Sequence, residues 1–260
     1  MISLIFIQRG REALGSRGNR ISRDSSNKLR QTMSTIESKT ESLGIEEIAK
    51  NLNDAGIPPD FGDDNSRLLI KMWRTLGQGQ PVTEEMTAQI AEGLGIPFER
   101  ADAFLRQITE RDSDDNIIGL LGLSLNQEWA HRLIINGRPF RTWCAWDTLF
   151  LPAMLGETVV VESESPLSGT LVRLTVTPNE VENSAPETAV VSIATIDPKV
   201  HDVSSVEAIW SNFCHQVYFF PSVEEAQEWA RGKSNIAILT VQQGYELGKL
   251  AFSNLRRFAQ

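Results

Sequence analysis

The chain has 260 residues, a formal net charge of −9 at pH 7, 41% hydrophobic residues and two cysteines. That length and hydrophobic content suffice for the core of one large or two small domains. The negative charge argues against a nucleic-acid binder that relies on bulk attraction to phosphates. Two cysteines exclude a disulfide-rich scaffold and a four-cysteine zinc module, and no apolar run approaches the roughly 18–20 residues that span a bilayer. We therefore expect a soluble globular protein with no membrane partner.

The first 40 residues differ from the rest of the chain, because they carry eight Lys and Arg residues against three Asp and Glu residues. The stretch 15–34 has few large apolar side chains and cannot offset the entropy lost on folding. We predict that residues 1–63 are a disordered or non-native N-terminal extension, despite a short amphipathic helix pattern at 45–52. Ordered structure is expected to begin near Asn65. A true start at Met33 and an Arg- and Ser-rich organelle transit peptide are alternatives for this extension.

Three helices followed by a β-ribbon are predicted in residues 64–136. Apolar residues repeat at helical spacing over 68–76 and stop at Gly77, Thr83 caps the next helix, and Pro97 opens a third. A strand then runs into the hairpin turn Asn136-Gly137. This order is typical of a winged helix-turn-helix domain.

Charge argues against DNA binding by that domain. Residues 64–112 contain six Lys and Arg residues and eight Asp and Glu residues, whereas a recognition helix needs a net positive face. We therefore predict a winged-helix-like module used for packing, with no nucleic-acid partner.

Residues 137–260 are predicted to form the catalytic domain. A helix containing Pro152 is expected over Trp143–Leu155, a turn at Asn183-Ser184, a capping box of Ser222 and Glu225 opening a helix over 222–231, and a final helix from Val241. The predicted strands are Thr158–Glu162, Leu171–Thr177, Thr188–Ile193, Val217–Phe220 and Ile236–Leu239. The fold class is thus α+β, with the N-terminal three-helix module packed on a mostly antiparallel sheet and its flanking helices.

Three residues carry the candidate chemistry. Cys144 and Cys214 lie in aromatic, apolar segments, where a free cysteine is often simply a small core residue. Asp147 follows Cys144 by three residues, so on a helix the thiol and the carboxyl share a face. Neighbouring aromatic side chains, Trp143 among them, should raise the pKa of this carboxyl. Two thiols and one carboxyl in a dry pocket suit a soft metal ion.

Other interpretations of these residues remain open. Asp147 could be a surface residue or a partner of Arg141, and Trp143 could be plain core. A disulfide between Cys144 and Cys214 is possible, although a cytosolic compartment would disfavour it. A Cys144–His215 dyad is disfavoured, because His215 directly follows Cys214 and adjacent residues on a strand point to opposite faces.

Both cysteines have specific neighbours. The segments are Trp143-Cys144-Ala145-x-Asp147-Thr148-Leu149 with Pro152-Ala153, and Phe213-Cys214 with Phe219-Phe220-x-Ser222-Val223. Together with Gly79-x-Pro81-Val82 and Asn116-Ile117-Ile118-Gly119, they make the chain resemble the alkylmercury lyase (organomercurial lyase) family from about Leu68 to the C-terminus. The first 60 residues have no counterpart in this resemblance. Where family members carry further, non-essential cysteines, this chain has Ser165 and His215.

The resemblance implies protonolysis of the carbon–mercury bond in mercury detoxification. Cys144 would attack as thiolate while Asp147 relays its proton, Cys214 would become the second sulfur ligand, and Asp147 would protonate the departing carbon. The product Hg²⁺ would be left on Cys144 and Cys214, with Asp147 nearby. The resemblance implies no organic cofactor, a pocket walled by Trp143, and removal of Hg²⁺ by cellular thiols or a mercuric reductase. We expect a cytoplasmic monomer.

Two alternatives come from other functional classes. A non-catalytic protein that binds or senses soft metal ions would use the same two thiols, but it would not need Asp147. A winged-helix transcription regulator would bind DNA through residues 60–140.

Overall fold

The structure is a computed structural model that describes residues 44–197, 199–203 and 205–259. Its first helix, α1, spans Ile45–Asp54 and buries Ile48, Ala49 and Leu52 against the C-terminal helix Val241–Ala251. The prediction that ordered structure begins near Asn65 is therefore wrong for residues 44–63, because the apolar face of α1 is covered by a helix remote in the sequence. The expectations for residues 1–43 lie outside the described residues.

The next three helices lie where the sequence predicts them. They are α2 (Gly62–Leu76), α3 (Glu84–Gly93) and α4 (Phe98–Leu105). Gly77 caps the end of α2, the Thr83 side chain accepts a hydrogen bond from the Met86 N–H at the start of α3, and Pro97 precedes α4. Helix α2 is bonded to the sheet that follows it, because its Trp73 Nε1 donates to the carbonyl oxygen of Leu120 at 2.9 Å.

A large sheet of eight strands follows, in the order β1-β2-β3-β5-β4-β6-β7-β8. The strands are β1 (Thr109–Arg111), β2 (Ile117–Leu120), β3 (Leu123–Ser124), β4 (His131–Ile135), β5 (Arg138–Thr142), β6 (Val159–Glu164), β7 (Leu171–Val176) and β8 (Val181–Ala185). Every neighbouring pair is antiparallel. The predicted hairpin turn is confirmed: Asn136 and Gly137 have φ of 50° and 78°, which a two-residue type I′ turn requires.

One turn prediction is wrong. Asn183-Ser184 lies inside the edge strand β8, and this strand is largely exposed. Asn and Ser are unfavourable in strands on average, but on a solvated edge the pairing with β7 outweighs that preference.

A second, three-stranded sheet carries β9 (Val190–Ala194) between β10 (Phe219–Phe220) and β11 (Ile236–Thr240). The remaining helices are α5 (Asp147–Leu155), α6 (Val206–Asn212), α7 (Val223–Trp229), α8 (Val241–Ala251) and α9 (Ser253–Arg256). The predicted final helix from Val241 is α8, which ends at Ala251, and the short helix α9 follows after Phe252. Ser222 caps α7 as predicted, whereas the Glu225 carboxylate accepts hydrogen bonds from Ser165 and Ser168.

The fold is thus a mixture of α and β structure with a large antiparallel sheet and packed helices, as predicted. Strands from both sides of residue 136 pair in the same sheet. The winged-helix assignment for 64–136 and the division from 137–260 remain predictions. Within the described ranges no helix is long and apolar enough to cross a membrane.

Candidate active site

Cys144 lies in a short turn between β5 and α5, and Asp147 is the first residue of α5. The backbone N–H of Cys144 donates to Oδ2 of Asp147 at 2.7 Å, and the Cys144 thiol lies near the same carboxyl group and influences its pKa. Cys144 and the Asp147 carboxyl therefore lie next to each other, as predicted. The predicted reason, that both lie on one face of a helix, is wrong. The helix begins at Asp147 rather than at Trp143, so the carboxyl reaches back from the first helical turn instead of sharing a helical face.

Hydrogen bonds hold this turn in place. Thr142 Oγ1 donates to the carbonyl oxygen of Cys144 at 2.9 Å, and Thr148 Oγ1 donates to that of Ala145 at 2.7 Å. The N–H of Ala145 donates to the carbonyl oxygen of Val217 at 3.2 Å, which ties the turn to the segment that follows Cys214. Since these groups are buried, their hydrogen bonds hold the backbone of the turn, and with it the Cys144 side chain, in one position.

Cys214 starts a single 3₁₀ turn, Cys214–Gln216, directly after α6. A strand was predicted from Val217, but only Phe219–Phe220 pair as one. The turn is held by Ser192, whose Oγ donates to the carbonyl oxygen of Gln216 at 2.8 Å. Cys214 is buried, while its neighbour His215 is exposed and so does not complete a dyad with buried Cys144.

The two thiols meet inside the protein. Both cysteines are free, and the Cys214 thiol lies close enough to the Cys144 thiol to raise the pKa of Cys144. Cys144 is fully buried, and Cys214 is 6% exposed. The Cys144 thiol thus has a second thiol and the Asp147 carboxyl as buried neighbours, which are the three groups that the sequence singles out.

Burial dominates the electrostatics of the site. It raises the pKa of Asp147 to about 7, although hydrogen bonds from Cys144 and Trp143 oppose the shift. Burial also raises the pKa of the Cys144 thiol, and the contact with Cys214 and the nearby charge of Asp147 add to that shift. The predicted rise in the pKa of Asp147 is confirmed. With a pKa near neutrality, this carboxyl can both accept and return a proton.

Asp147 and Cys214 form part of the wall of a small cavity of about 70 Å³. The rest of the wall is almost wholly apolar and includes Ile57, Phe61, Trp143, Trp146, Ile209 and Phe213. Trp143 is therefore beside the site, as predicted. The segment 57–61, which was assigned to a disordered extension, supplies one side of this cavity.

Two further residues shape the site and were missed by the sequence analysis. Gly122 packs against the Asp147 carboxyl, and its carbonyl oxygen accepts the Trp143 N–H at 3.2 Å. Glu110 accepts a hydrogen bond from Trp143 Nε1 at 2.5 Å. Neither residue stands near Cys144 in the chain, and no local pattern marks either one.

The remaining candidate ligands lie elsewhere or do not cluster. His131 is buried, and its Nδ1 pairs with Ser163 Oγ at 2.8 Å. Burial and the charge of Arg141 lower the pKa of His131 to about 4. In the part of the chain that the structure describes, no three His, Cys, Asp or Glu side chains are grouped as a site for a metal ion. The pair of thiols is thus the feature of this site that suits a soft ion of low coordination number.

Comparisons with known proteins agree on one family. The family model for alkylmercury lyase matches residues 124–253, a range that contains both cysteines and Asp147. An alkylmercury lyase of Bacillus cereus is 33% identical over 214 residues, which are 82% of this chain and 91% of that protein. One of Staphylococcus epidermidis is 38% identical over 185 residues, 70% of this chain and 79% of that protein. A crystal structure of the mercury-bound form of MerB2 is similar with a TM-score of 0.62 and 25% identity, covering 82% of this chain and 99% of that one.

Proposed function

The chain belongs to the alkylmercury lyase family, and on that premise we propose how it cleaves the carbon–mercury bond of an organomercurial. The reaction is R–Hg⁺ + H⁺ giving R–H and Hg²⁺. Cys144, Asp147 and Cys214 are the catalytic residues in this proposal. It rests on one observation, the burial of the two free thiols and the Asp147 carboxyl next to one another at an apolar cavity, with the Cys144 N–H bonded to that carboxyl.

The first step is capture of mercury by Cys144. Its thiol is a poor nucleophile because burial raises its pKa, so it needs a base in contact. The Asp147 carboxylate takes the thiol proton as the Cys144 sulfur forms a bond to mercury and displaces the ligand with which the organomercurial arrived. The products of this step are a Cys144–Hg–R adduct and a neutral Asp147, which is the form that a buried carboxyl favours.

The second step breaks the bond to carbon. Cys214 forms a second sulfur–mercury bond, and because this residue is 6% exposed its proton passes to bulk solvent. Electron donation from two sulfur atoms weakens the mercury–carbon bond, and its electron pair takes the proton that Asp147 returns. R–H leaves, Asp147 is again a carboxylate, and Hg²⁺ stays bound to Cys144 and Cys214. Asp147 also serves as an additional ligand of the product Hg²⁺ in this proposal, but its main role is to carry the proton.

The apolar wall supports this chemistry in two ways. It excludes water, which strengthens the interaction between the carboxyl and the thiol inside the site. It also suits the hydrocarbon part of the substrate, and Trp143 and Phe213 are the aromatic groups beside the reacting residues. The substrate class in this proposal is therefore organomercurials with an alkyl or aryl group.

Release of the product requires other thiols. The sites of Cys144 and Cys214 are regenerated when free cellular thiols take Hg²⁺ and restore both protons, and a mercuric reductase is the proposed final acceptor. A cytoplasmic location fits this proposal, because thiols stay reduced there. The proposal uses no organic cofactor, and it takes the monomer as the active unit.

A soft-metal binding or sensing function is the alternative, and the contact of two free thiols favours it to the same degree. Asp147 separates the two functions, since sequestration needs only sulfur. Purified protein is incubated with phenylmercury and excess thiol, and benzene is measured by gas chromatography. Wild type should release benzene, whereas Cys144→Ser and Asp147→Ala should not, and Asp147→Ala should still bind Hg²⁺. Mercury bound to both cysteines without benzene from the wild type would establish the alternative.

A further inference from the structure

Glu110, in β1, is hydrogen-bonded to Trp143, one of the residues that line the cavity. Its Oε1 accepts the indole N–H of Trp143 at 2.5 Å, and its Oε2 accepts the indole N–H of Trp129 at 3.2 Å. Ser124 Oγ donates to the same Oε2 at 3.0 Å. One carboxylate thus receives three hydrogen bonds, and such charge-assisted bonds are stronger than those between neutral groups.

The surroundings of Glu110 are shaped to hold it there. Gly119, on the paired strand β2, faces its side chain, and a Cβ at this position would lie 2.6 Å from the Glu110 carboxyl carbon. Any larger residue at position 119 would displace the carboxylate from the two indoles. The room for Glu110 therefore depends on a residue without a side chain.

The indoles that Glu110 holds form part of an aromatic cluster. Trp129 and Trp143 have ring centroids 6.3 Å apart, and each packs on Trp210 at 5.1 Å. Trp143 is the member that continues into the cavity lined by Asp147 and Cys214. Its backbone N–H is bonded to Gly122, and the hydrogen bond from its indole N–H to Glu110 restrains the orientation of the ring.

We infer that Glu110 is a positioning residue for the part of the cavity that receives the organic group of the substrate. It does so by holding the Trp143 indole in one orientation beside the reacting residues. The inference rests on the proposed function, because it assigns this cavity to an organomercurial. Glu110 itself takes no part in bond breaking, so its loss removes binding that the substrate and the transition state share.

Loss of Glu110 should therefore change KM rather than kcat. Loss of an interaction made equally in the ground state and the transition state raises KM and leaves kcat unchanged. We expect Glu110→Ala to raise KM for phenylmercury about tenfold, which corresponds to ~1.4 kcal/mol. Glu110→Gln keeps an oxygen that accepts the Trp143 N–H and should recover most of the wild-type KM. Glu92→Ala, at an exposed position in α3, is the matched control and should behave like the wild type.

A double-variant cycle separates positioning from a general loss of structure. In Trp143→Phe the indole N–H is absent, so this variant should itself raise KM, and adding Glu110→Ala should raise KM by less than about twofold more. Protein labelled with 5-fluorotryptophan provides a readout independent of activity. The chain has six tryptophans, and the ¹⁹F resonance of Trp143 is the one lost in Trp143→Phe. Glu110→Ala should shift and broaden that resonance, and Glu92→Ala should not.

Four outcomes would overturn the inference. An unaltered KM and Trp143 resonance in Glu110→Ala would overturn the inference. An equal rise in KM in both backgrounds, or a fall in kcat that follows the fraction of folded protein, would also overturn it, because Glu110 would then be merely structural. Absence of hydrocarbon release from the wild type would refute the proposed function and this inference together, whereas release with no effect of Glu110→Ala would refute this inference alone.

Discussion

Gly122 lies directly against Asp147: a Cβ atom at position 122 would stand 2.7 Å from Cγ and 2.8 Å from Oδ1 of the aspartate. The backbone at Gly122 also has a φ of +90°, which residues with a side chain rarely adopt. The carboxyl to which we assign the proton transfer is thus confined from one side by a main-chain segment. This relationship links the short turn between β2 and β3 to the chemistry of the site.

Replacement of Gly122 by alanine should displace the Asp147 carboxyl from Cys144. We expect Gly122→Ala to lower benzene release from phenylmercury at least 100-fold, the scale of a lost general acid–base group. The new methyl group would stand too close to the carboxyl, which must move away from Cys144 and can then no longer exchange a proton with its thiol. Gly169→Ala is the matched control, because Gly169 has a φ of +71° and no atom within 4 Å of its Cβ position. Equal losses in both variants would assign the effect to backbone strain instead.

Replacement of Cys214 should stop the reaction after mercury capture. In Cys214→Ser, the Cys144 sulfur can still form its bond to mercury, but the second sulfur that weakens the bond to carbon is absent. We expect intact-protein mass spectrometry after phenylmercury treatment to show a phenylmercury adduct with its phenyl group retained, and no benzene. His215→Ala, at the exposed neighbour, should turn over normally. Recovery of bare mercury without phenyl on Cys214→Ser would show that one sulfur suffices.

Asp147 should make the protein less stable as the pH rises. The pKa of Asp147 is about 7 in the folded protein against an ordinary value of 3.8. Between pH 3.8 and pH 7 the carboxyl is therefore ionised in the unfolded chain and still protonated in the folded protein. The stabilising contribution of the neutral form is present below pH 3.8 and is lost as the pH rises to about 7. This difference in pKa corresponds to up to ~4 kcal/mol.

Asp147→Asn removes that charge and keeps an oxygen for the Cys144 N–H. Its unfolding free energy, relative to the wild type, should therefore increase from pH 4 to pH 7 and level off above. Urea unfolding at pH 5, 6, 7 and 8 measures this difference, with Asp114→Asn as an exposed control of the same change in charge. A difference that does not vary with pH would contradict a raised pKa at Asp147.

Helix α1 should contribute to stability as an integral part of the fold. Leu52 is fully buried, so Leu52→Ala removes methyl groups from the core and should lower the unfolding free energy by about 2–5 kcal/mol. Asn53→Ala, on the exposed side of the same helix, should have little effect. Thermal and urea unfolding of both variants measure the contrast. A loss below ~0.5 kcal/mol in Leu52→Ala is the scale of a surface substitution. It would indicate that this helix belongs to the disordered extension that the sequence predicts.

Local rules explain what was predictable from the sequence. The Thr83 cap, the end of α2 at Gly77 and the Asn136-Gly137 hairpin depend on a few adjacent residues, whose conformational preferences act without the rest of the fold. The residue types needed for the chemistry were also visible, because thiols and a carboxyl inside aromatic segments are unusual. These features, together with the resemblance to the alkylmercury lyase family, are why Cys144, Asp147 and Cys214 are the predicted site residues.

Tertiary structure decided how these residues meet. The contact of the two thiols requires the turn at Cys144 to be bonded to the segment after Cys214, and the covered face of α1 requires a helix nearly two hundred residues later. Gly122 and Glu110 act through space on Asp147 and Trp143, so neither leaves a pattern in the sequence around them. The chain alone marked Cys144, Asp147 and Cys214 as the candidate groups. Packing between distant segments determined their burial, the raised pKa values of Cys144 and Asp147, and the shape of the cavity that Asp147 and Cys214 line.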